Sequence, residues 1–220
     1  MIRLAVFDLD GTLVDSRRDL ADAANALVTE LGGVPLSEGA VGDMVGEGAA
    51  VLVARVVAAA GLETSLPEAL QRFLSLYDER LVTHTRPYDG IVQVLRAFHG
   101  RLPLAVLTNK PQAATDRMLS ELDLAQYFEG VIGGDTPFGR KPDPAGLLHL
   151  AARAGVDAAS TVLVGDSPVD LETARRAGAR VVLVSYGFGF RPVELIQTER
   201  VVAVPSALTN LFKELASNAN

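Results

Sequence analysis

The stretch VFDLDGTLVD, residues 6–15, places acids directly after an apolar run. Asp8 and Asp10 are separated by one residue, so their carboxylates lie on the same side of an extended chain and repel each other. A hydrophobic strand has no structural reason to end in this way. We therefore expect the apolar run to be a buried strand and the two acids after it to serve a chemical purpose.

Apolar runs of this kind recur along the chain, beginning with the first one. They are continuous rather than alternating, which is typical of parallel strands covered on both faces. They lie at 2–8, 103–108, 130–133, 161–165 and 180–184, and stretches with helical spacing separate them at 88–99, 111–122, 143–154 and 168–177. This succession predicts an α/β fold: a Rossmann-like parallel sheet core with helices on both faces and right-handed crossovers.

The region between residues 16 and 85 interrupts the alternation. It contains three stretches in which apolar residues recur with helical spacing, and it contains no convincing strand. We expect an inserted all-α helical domain at 16–85 and an α/β core domain formed by 1–15 and 86–220.

The composition argues against several classes of protein. Hydrophobic residues make up 49% of the 220, which excludes a disordered chain, and a net charge of −7 argues against binding to a nucleic-acid backbone. No apolar segment reaches the roughly 18–20 residues that span a bilayer, and the absence of cysteine excludes thiolate sites. We expect a cytoplasmic protein with no nucleic-acid or membrane partner; monomer and homodimer both stay open.

Residues able to handle phosphate stand after four of the predicted strands, at the edge where open α/β sheets bind ligands. They are Asp8, Asp10, Thr12, Thr108, Asn109, Lys141, Asp166 and Asp170. Gathered carboxylates repel each other, and Mg²⁺, which prefers a few carboxylate oxygens together with water and phosphate, resolves the repulsion. The hydroxyls and the amide suit phosphoryl oxygens, and the lysine supplies a point charge. One carboxylate can then attack phosphorus while a second acts as general acid and base.

Four motifs in this set together resemble those of the haloacid dehalogenase superfamily. They are D-x-D-G-T at 8–12, Thr108-Asn109 after a strand, Lys141-Pro142, and G-D-S-x-x-D at 165–170. The resemblance covers nearly the whole chain. It implies that Asp8 is the nucleophile, that Asp10 is the general acid/base and lends a backbone carbonyl to the metal, and that Thr108 and Lys141 hold the phosphoryl group.

The chemistry of these side chains and the resemblance together lead to three sets of site residues. We predict catalytic roles for Asp8, Asp10 and Lys141. We predict metal ligands at Asp8, Asp10, Asp166 and Asp170, although Asp170 could instead cap the helix that it starts. We predict substrate binding by Thr12, Thr108, Asn109, Lys141, Gly46, Gly48 and Arg55.

The region 16–85 resembles the small helical cap of the same family. The segments VGEG at 45–48, GGDTPFGRKPDP at 133–144 and SYGFGF at 185–190 resemble its phosphoglycolate phosphatase subgroup. Glycines 46 and 48 let a loop approach the substrate with its backbone N–H groups. Arg55 is either a cation for the substrate or an exposed helix charge, and Glu47 is expected to point outward.

The implied activity is that of a Mg²⁺-dependent phosphomonoester hydrolase that forms an aspartyl-phosphate intermediate. Phosphoglycolate or a similar small phosphate ester is the expected substrate. A hexose-phosphate phosphatase, a pyrophosphatase and a β-phosphoglucomutase-like phosphotransferase of the same fold stay open, as does a non-catalytic binding protein. A dehalogenase is disfavoured, because dehalogenases of the family lack the second Asp, which is present here as Asp10.

Overall fold

The computed structural model describes residues 1–190 and 200–217. Its strands are β1 (Leu4–Phe7), β2 (Val14–Asp15), β3 (Arg86–Pro87), β4 (Leu104–Leu107), β5 (Gly130–Ile132), β6 (Thr161–Gly165), β7 (Arg180–Val184) and β8 (Arg200–Val202). Its helices are α1 (Arg17–Glu30), α2 (Glu38–Gly42), α3 (Ala49–Ala59), α4 (Leu66–Asp78), α5 (Ile91–Phe98), α6 (Gln112–Glu121), α7 (Ala145–Arg153), α8 (Pro168–Ala177) and α9 (Ala207–Ser217). None of the helices within the described ranges is both long and apolar enough to cross a bilayer.

Six parallel strands of the described chain form the main sheet, in the order β5-β4-β1-β6-β7-β8. Strand β1 lies inside the sheet, where Val6 pairs with Ala105 on one side and with Leu163 on the other. The carboxyl ends of β1, β4 and β6 therefore meet at one edge. The residues that follow these strands are brought together there.

Both faces of β1 are covered, which explains its continuous apolar sequence. Ala5 and Phe7 belong to the larger core cluster, and the ring of Phe7 packs against Phe212 of α9 with centroids 5.9 Å apart. Leu4 and Val6 point the other way into a second cluster that includes residues of α7. The predicted α/β fold, with a parallel sheet between two layers of helices, is confirmed.

The helices α1–α4 lie between β2 and β3 and pack mainly against each other. Strands β2 and β3 pair antiparallel, Val14 with Pro87 and Asp15 with Arg86, so the chain leaves the core and returns to it at one place. The insertion is all-helical, as expected, although the short helix α2 was not among the three predicted helical stretches. The division into 1–15, 16–85 and 86–220 stays a prediction.

Two elements near the carboxyl end, β8 and α9, were not predicted from the sequence. Strand β8 has three residues at the edge of the sheet, and two of them are exposed, so its sequence lacks the continuous apolar run of the other strands. Helix α9 buries Leu208, Phe212 and Leu215. Their spacing is helical, and that signal was available in the sequence.

Candidate active site

Three buried carboxylates meet at the carboxyl edge of the sheet. Asp8 follows β1, and its backbone N–H donates to Val164 in β6 at 2.8 Å. Asp166 follows β6, and Asp170 lies in the first turn of α8. One carboxylate oxygen of each lies within 4.8 Å of the others. The cluster joins the first and last of the predicted motifs.

Glycine backbone forms part of the wall around this cluster. Gly11 has φ +85°, and a Cβ atom on it would lie 2.1 Å from Oδ2 of Asp166. A Cβ atom on Gly165 would lie 2.2 Å from Cγ of Asp170. The glycines of the first and last motifs are therefore required by the close approach of backbone to carboxylate.

Lys141 places its ammonium between two of the three carboxylates. Its Nζ lies 2.8 Å from Oδ1 of Asp8 and 2.6 Å from Oδ1 of Asp170, and all three side chains are buried. The other oxygen of Asp170 accepts hydrogen bonds from the hydroxyl and the backbone N–H of Ser167 at 2.6 Å and 3.1 Å. Asp170 thus caps α8 and orients Lys141. Its role as a metal ligand stays a prediction.

Burial of this cluster makes the charged forms of its acids costly. Burial raises the pKa of Asp8 to about 7, with a further contribution from Asp170, while the ammonium of Lys141 works in the opposite direction. Burial also raises the pKa of Asp166 well above its ordinary value, and the charges of Asp8 and Asp170 add to that shift. Three carboxylates facing one ammonium leave negative charge that a cation would offset. The donor set therefore fits a hard divalent cation bound by oxygen.

The carboxylate of Asp10 has different surroundings from that of Asp8. Its Oδ1 accepts a hydrogen bond from the Ser16 hydroxyl at 2.6 Å. Both of its oxygens accept from Nζ of Lys110, at 2.9 Å and 2.7 Å. The third acceptor of that ammonium is the hydroxyl of Tyr77 in α4, at 2.8 Å.

Lys110 was not among the predicted site residues, although it directly follows Thr108 and Asn109. Burial works to lower its pKa, but the neighbouring Asp10 and Tyr77 outweigh burial, and the net shift is upward. It therefore carries a charge in a buried place, where unpaired lysine is almost never found. Its position at the end of a core strand was the available signal.

A cavity of about 230 Å³ lies between the helical insertion and the sheet edge. The core contributes polar residues to its wall, namely Asp8, Asp10, Thr108, Asn109 and Lys110. The helical insertion contributes Gly46, Gly48 and Tyr77 together with apolar residues, namely Leu20, Val45, Ala49, Leu52, Phe73, Leu74 and Leu81. The structure thus brings six of the predicted site residues to one cavity.

Asn109 connects the two sides of this cavity. Its Oδ1 accepts from the backbone N–H of Lys141 at 2.8 Å, and its Nδ2 donates to the carbonyl of Lys141 at 3.0 Å. The same Nδ2 donates to the carbonyl of Gly46 in the cap loop at 2.9 Å. Asn109 therefore links the loop that carries Lys141 to the loop that carries Gly46.

Three predicted substrate-binding residues, Thr12, Arg55 and Lys141, do not line the cavity. Lys141 instead contacts Asp8, which does line it. The hydroxyl of Thr12 is buried and has no hydrogen-bond partner among the residues that the structure describes, and the Thr12 carbonyl accepts from the hydroxyl of Tyr186. Arg55 forms an ion pair with Glu47 and donates to the carbonyl of Met44 at 3.1 Å, and its side chain is 41% exposed. These contacts favour the alternative of an exposed helix charge for Arg55.

Comparison with known proteins places the chain in a family. A family model described as haloacid dehalogenase-like hydrolase matches residues 5–184. The chain belongs to the haloacid dehalogenase-like hydrolases, as the four motifs predicted.

Within this family the chain is similar to phosphoglycolate phosphatases. It is 44% identical over 201 residues to the phosphoglycolate phosphatase of Rhodospirillum rubrum, a match that covers 88% of this chain and 83% of that protein. It is 36% identical to the phosphoglycolate phosphatase of Agrobacterium fabrum over 97% of this chain and 94% of that protein. The crystal structure of a predicted phosphoglycolate phosphatase from Haemophilus somnus has a TM-score of 0.90 at 29% identity, with 96% of this chain and 98% of that chain covered. These matches confirm the prediction that the protein is a phosphatase similar to the phosphoglycolate phosphatases.

Proposed function

We propose that the protein is a Mg²⁺-dependent phosphomonoester hydrolase that acts through an aspartyl-phosphate on Asp8, with phosphoglycolate as its substrate. The observation that carries this proposal is the place of Asp8. Its carboxylate faces the ammonium of Lys141 at 2.8 Å, and it shares a cavity with Asp10. A nucleophile, a cation for the phosphoryl oxygens and a second carboxyl for proton transfer are therefore present within one site.

The proposed reaction has two steps. In the first, an oxygen of Asp8 attacks phosphorus, the bond to the ester oxygen breaks, and Asp10 gives a proton to the departing alkoxide. In the second, Asp10 takes a proton from water, the water oxygen attacks the phosphoryl group, and the carboxylate of Asp8 is released. Lys141 offsets the negative charge on the phosphoryl oxygens in both steps.

Asp8, Asp166 and the backbone carbonyl of Asp10 are the residues proposed to hold Mg²⁺, with Asp170 as their closest support. When bound, the ion supplies positive charge for the phosphoryl oxygens and for the crowded carboxylates. The choice of Mg²⁺ rests on the oxygen-only donor set, which suits a hard cation.

The proposal of phosphoglycolate rests on the cavity and on the relatives. A volume of about 230 Å³ with a mostly apolar wall suits a small leaving group. The relatives described above carry the name of a phosphoglycolate phosphatase. A cytoplasmic location and a monomeric or homodimeric state stay predictions.

A panel of phosphate esters tests the proposal. With Mg²⁺ present, we expect phosphoglycolate to give the highest kcat/KM, ahead of hexose phosphates and pyrophosphate. A chloro-acid should release no halide, and Asp8→Asn should be inactive on every substrate. A higher kcat/KM on a hexose phosphate or on pyrophosphate would contradict the substrate. Return of the phosphoryl group to a sugar, without accumulation of inorganic phosphate, would indicate the phosphotransferase. No hydrolysis of any ester in the panel would indicate a non-catalytic binding protein.

A further inference from the structure

The ammonium of Lys110 has three acceptors within hydrogen-bond distance. An ammonium group carries three donors. Here they meet Oδ1 and Oδ2 of Asp10 and the hydroxyl of Tyr77, at distances between 2.7 Å and 2.9 Å. Lys110 is only 5% exposed although it lines the cavity, and its three donors match these three acceptors in number. The ammonium is therefore committed to holding Asp10.

Tyr77 brings the helical insertion into this arrangement. It lies on α4, its ring stacks on Phe73 with centroids 5.8 Å apart, and Nζ of Lys110 lies 4.7 Å from its ring centroid. Lys110 belongs to the loop after β4 in the core. The Lys110–Tyr77 bond is thus a direct contact between insertion and core, beside the carboxyl proposed to transfer the proton.

The carboxylate of Asp10 is held from two sides. Ser16 donates to Oδ1 at 2.6 Å from the start of the insertion, while Lys110 donates to both oxygens. A carboxylate with one partner rotates about its terminal bond, because that torsion is broad. Donors from two different segments of the chain fix the plane of the group, and with it the direction in which Asp10 presents its oxygens to the cavity.

We propose that Lys110 is the positioning residue for the general acid/base Asp10, and that its bond to Tyr77 makes this positioning depend on contact between the helical insertion and the core. The proposal rests on the proposed function, since it needs Asp10 to transfer a proton. It assigns no contact between Lys110 and the substrate.

This role has a consequence that a merely structural role does not share. The leaving group of an alkyl phosphate is a strongly basic alkoxide, which needs the proton of Asp10. A p-nitrophenolate leaves readily without one. Misplacing Asp10 therefore slows the first step for alkyl esters and leaves that step nearly intact for p-nitrophenyl phosphate. The second step is slowed for both, because Asp10 also activates water.

The test compares kcat/KM for phosphoglycolate and for p-nitrophenyl phosphate, since this ratio reports the steps up to loss of the leaving group. We expect Lys110→Met to lose at least about 100-fold on phosphoglycolate and less than about 5-fold on the aryl ester, in line with the usual size of general acid catalysis. On the aryl ester it should release one equivalent of nitrophenol per site in a burst, followed by slow turnover. Lys213→Met removes an exposed lysine of α9 and is the matched control.

Tyr77→Phe provides a second test, because it removes only the hydroxyl and keeps the stacked ring. We expect a loss on phosphoglycolate several times larger than the loss on the aryl ester. Tyr127→Phe is its control, since it removes the hydroxyl of another buried tyrosine, one that bonds to Arg96 and does not line the cavity. Thermal unfolding of each variant shows whether it is folded. This second pair keeps the test decisive if Lys110→Met fails to fold.

Equal losses on the two esters, in folded variants of Lys110 and Tyr77, would overturn the positioning role and leave the proposed function intact. A rise in KM alone for phosphoglycolate, with kcat unchanged, would also overturn it, because it would indicate direct binding of the substrate's anion by Lys110. A wild-type protein that hydrolyses neither ester would overturn the proposed function, and the positioning role with it.

Discussion

Asp8 and Asp10 stand two residues apart and have different partners. Asp8 faces Lys141 within the cluster of buried acids, whereas Asp10 lies between Ser16 and Lys110 at the cavity wall. This difference suits the two roles proposed for them, because a nucleophile must face the phosphoryl group and a proton carrier must reach the leaving oxygen. Sequence spacing predicted that both acids serve chemistry. It could not predict their partners, which come from distant parts of the chain.

Replacing either of these acids by its amide tests the roles directly. Asp8→Asn and Asp10→Asn should each lower kcat for phosphoglycolate by at least about 10³-fold, because an amide neither attacks phosphorus nor carries the proton. Asp15→Asn is the matched control from the same stretch of sequence. Asp15 pairs with Arg17 and is absent from the cavity wall, so its variant should keep turnover within about threefold. Near-normal turnover of either of the first two variants would refute the mechanism.

The raised pKa values of Asp8 and Asp166 predict how metal binding and stability depend on pH. Folding raises the pKa of Asp8 from 3.8 to about 7, so its contribution to the stability of the metal-free protein is full below 3.8 and is lost as the pH rises to about 7. Binding of Mg²⁺ needs the ionised form. The increase in thermal midpoint on adding Mg²⁺ should therefore be larger at pH 8 than at pH 6.

Calorimetry at the two pH values measures the same effect, with proton release on binding at pH 6 and little at pH 8. Asp166→Asn is the control variant, and it should show no increase in thermal midpoint with Mg²⁺ at either pH. An increase that is equal at both pH values in the wild-type protein would count against these carboxylates as the ligands.

At the scale of elements, the acid cluster follows from the order of the strands. Strand β1 lies between β4 and β6, so the loops after these three strands are neighbours. The rule that ligands bind at the carboxyl edge of a parallel sheet was enough to predict that Asp8, Asp166 and Lys141 lie close together. The glycines that admit the carboxylates were part of the same motifs.

Two glycine variants separate close approach from backbone strain. Gly11→Ala places a Cβ atom 2.1 Å from Oδ2 of Asp166 at φ +85°, whereas Gly32→Ala has φ +80° and open space around it. Both substitutions put a Cβ atom on left-handed backbone, which should lower the free energy of unfolding by roughly 1–2 kcal/mol. Only Gly11→Ala should also lose the increase in thermal midpoint with Mg²⁺. Its activity should fall by at least about 10²-fold, which is the usual cost of misplacing a catalytic group by about 1 Å. A full Mg²⁺ response in folded Gly11→Ala would contradict this packing.

Contacts between the insertion and the core are the part of the site that the sequence could not predict. Tyr77 lies on α4 and Lys110 after β4, and no local pattern indicates that their side chains meet. The ion pair between Arg55 and Glu47 could not be predicted either, because Glu47 lies in the loop before α3 and its direction is not set by helical spacing. Such contacts depend on how helices dock, and sequence periodicity gives only the face of a helix that is buried.

For the whole molecule, the site is a cavity between two parts of the chain. The core supplies the polar groups, and the helical insertion supplies most of the apolar wall. This division explains why the reaction class could be predicted from motifs, while the proposed substrate rests on relatives and on the size of the cavity. The fold could be predicted apart from β2, β3, β8, α9 and the short helix α2.

The central claim is that Asp8 carries the phosphoryl group during turnover, and trapping the intermediate tests it most directly. Asp10→Asn should allow the first step with p-nitrophenyl phosphate and slow the second, so that the phosphorylated protein accumulates. Acid quenching followed by borohydride reduction converts an acyl phosphate of aspartate to homoserine, and peptide mass spectrometry locates it. We expect homoserine at position 8, and only when substrate and Mg²⁺ are both present. Nitrophenol release without any modification at position 8, or with modification at another residue, would contradict it.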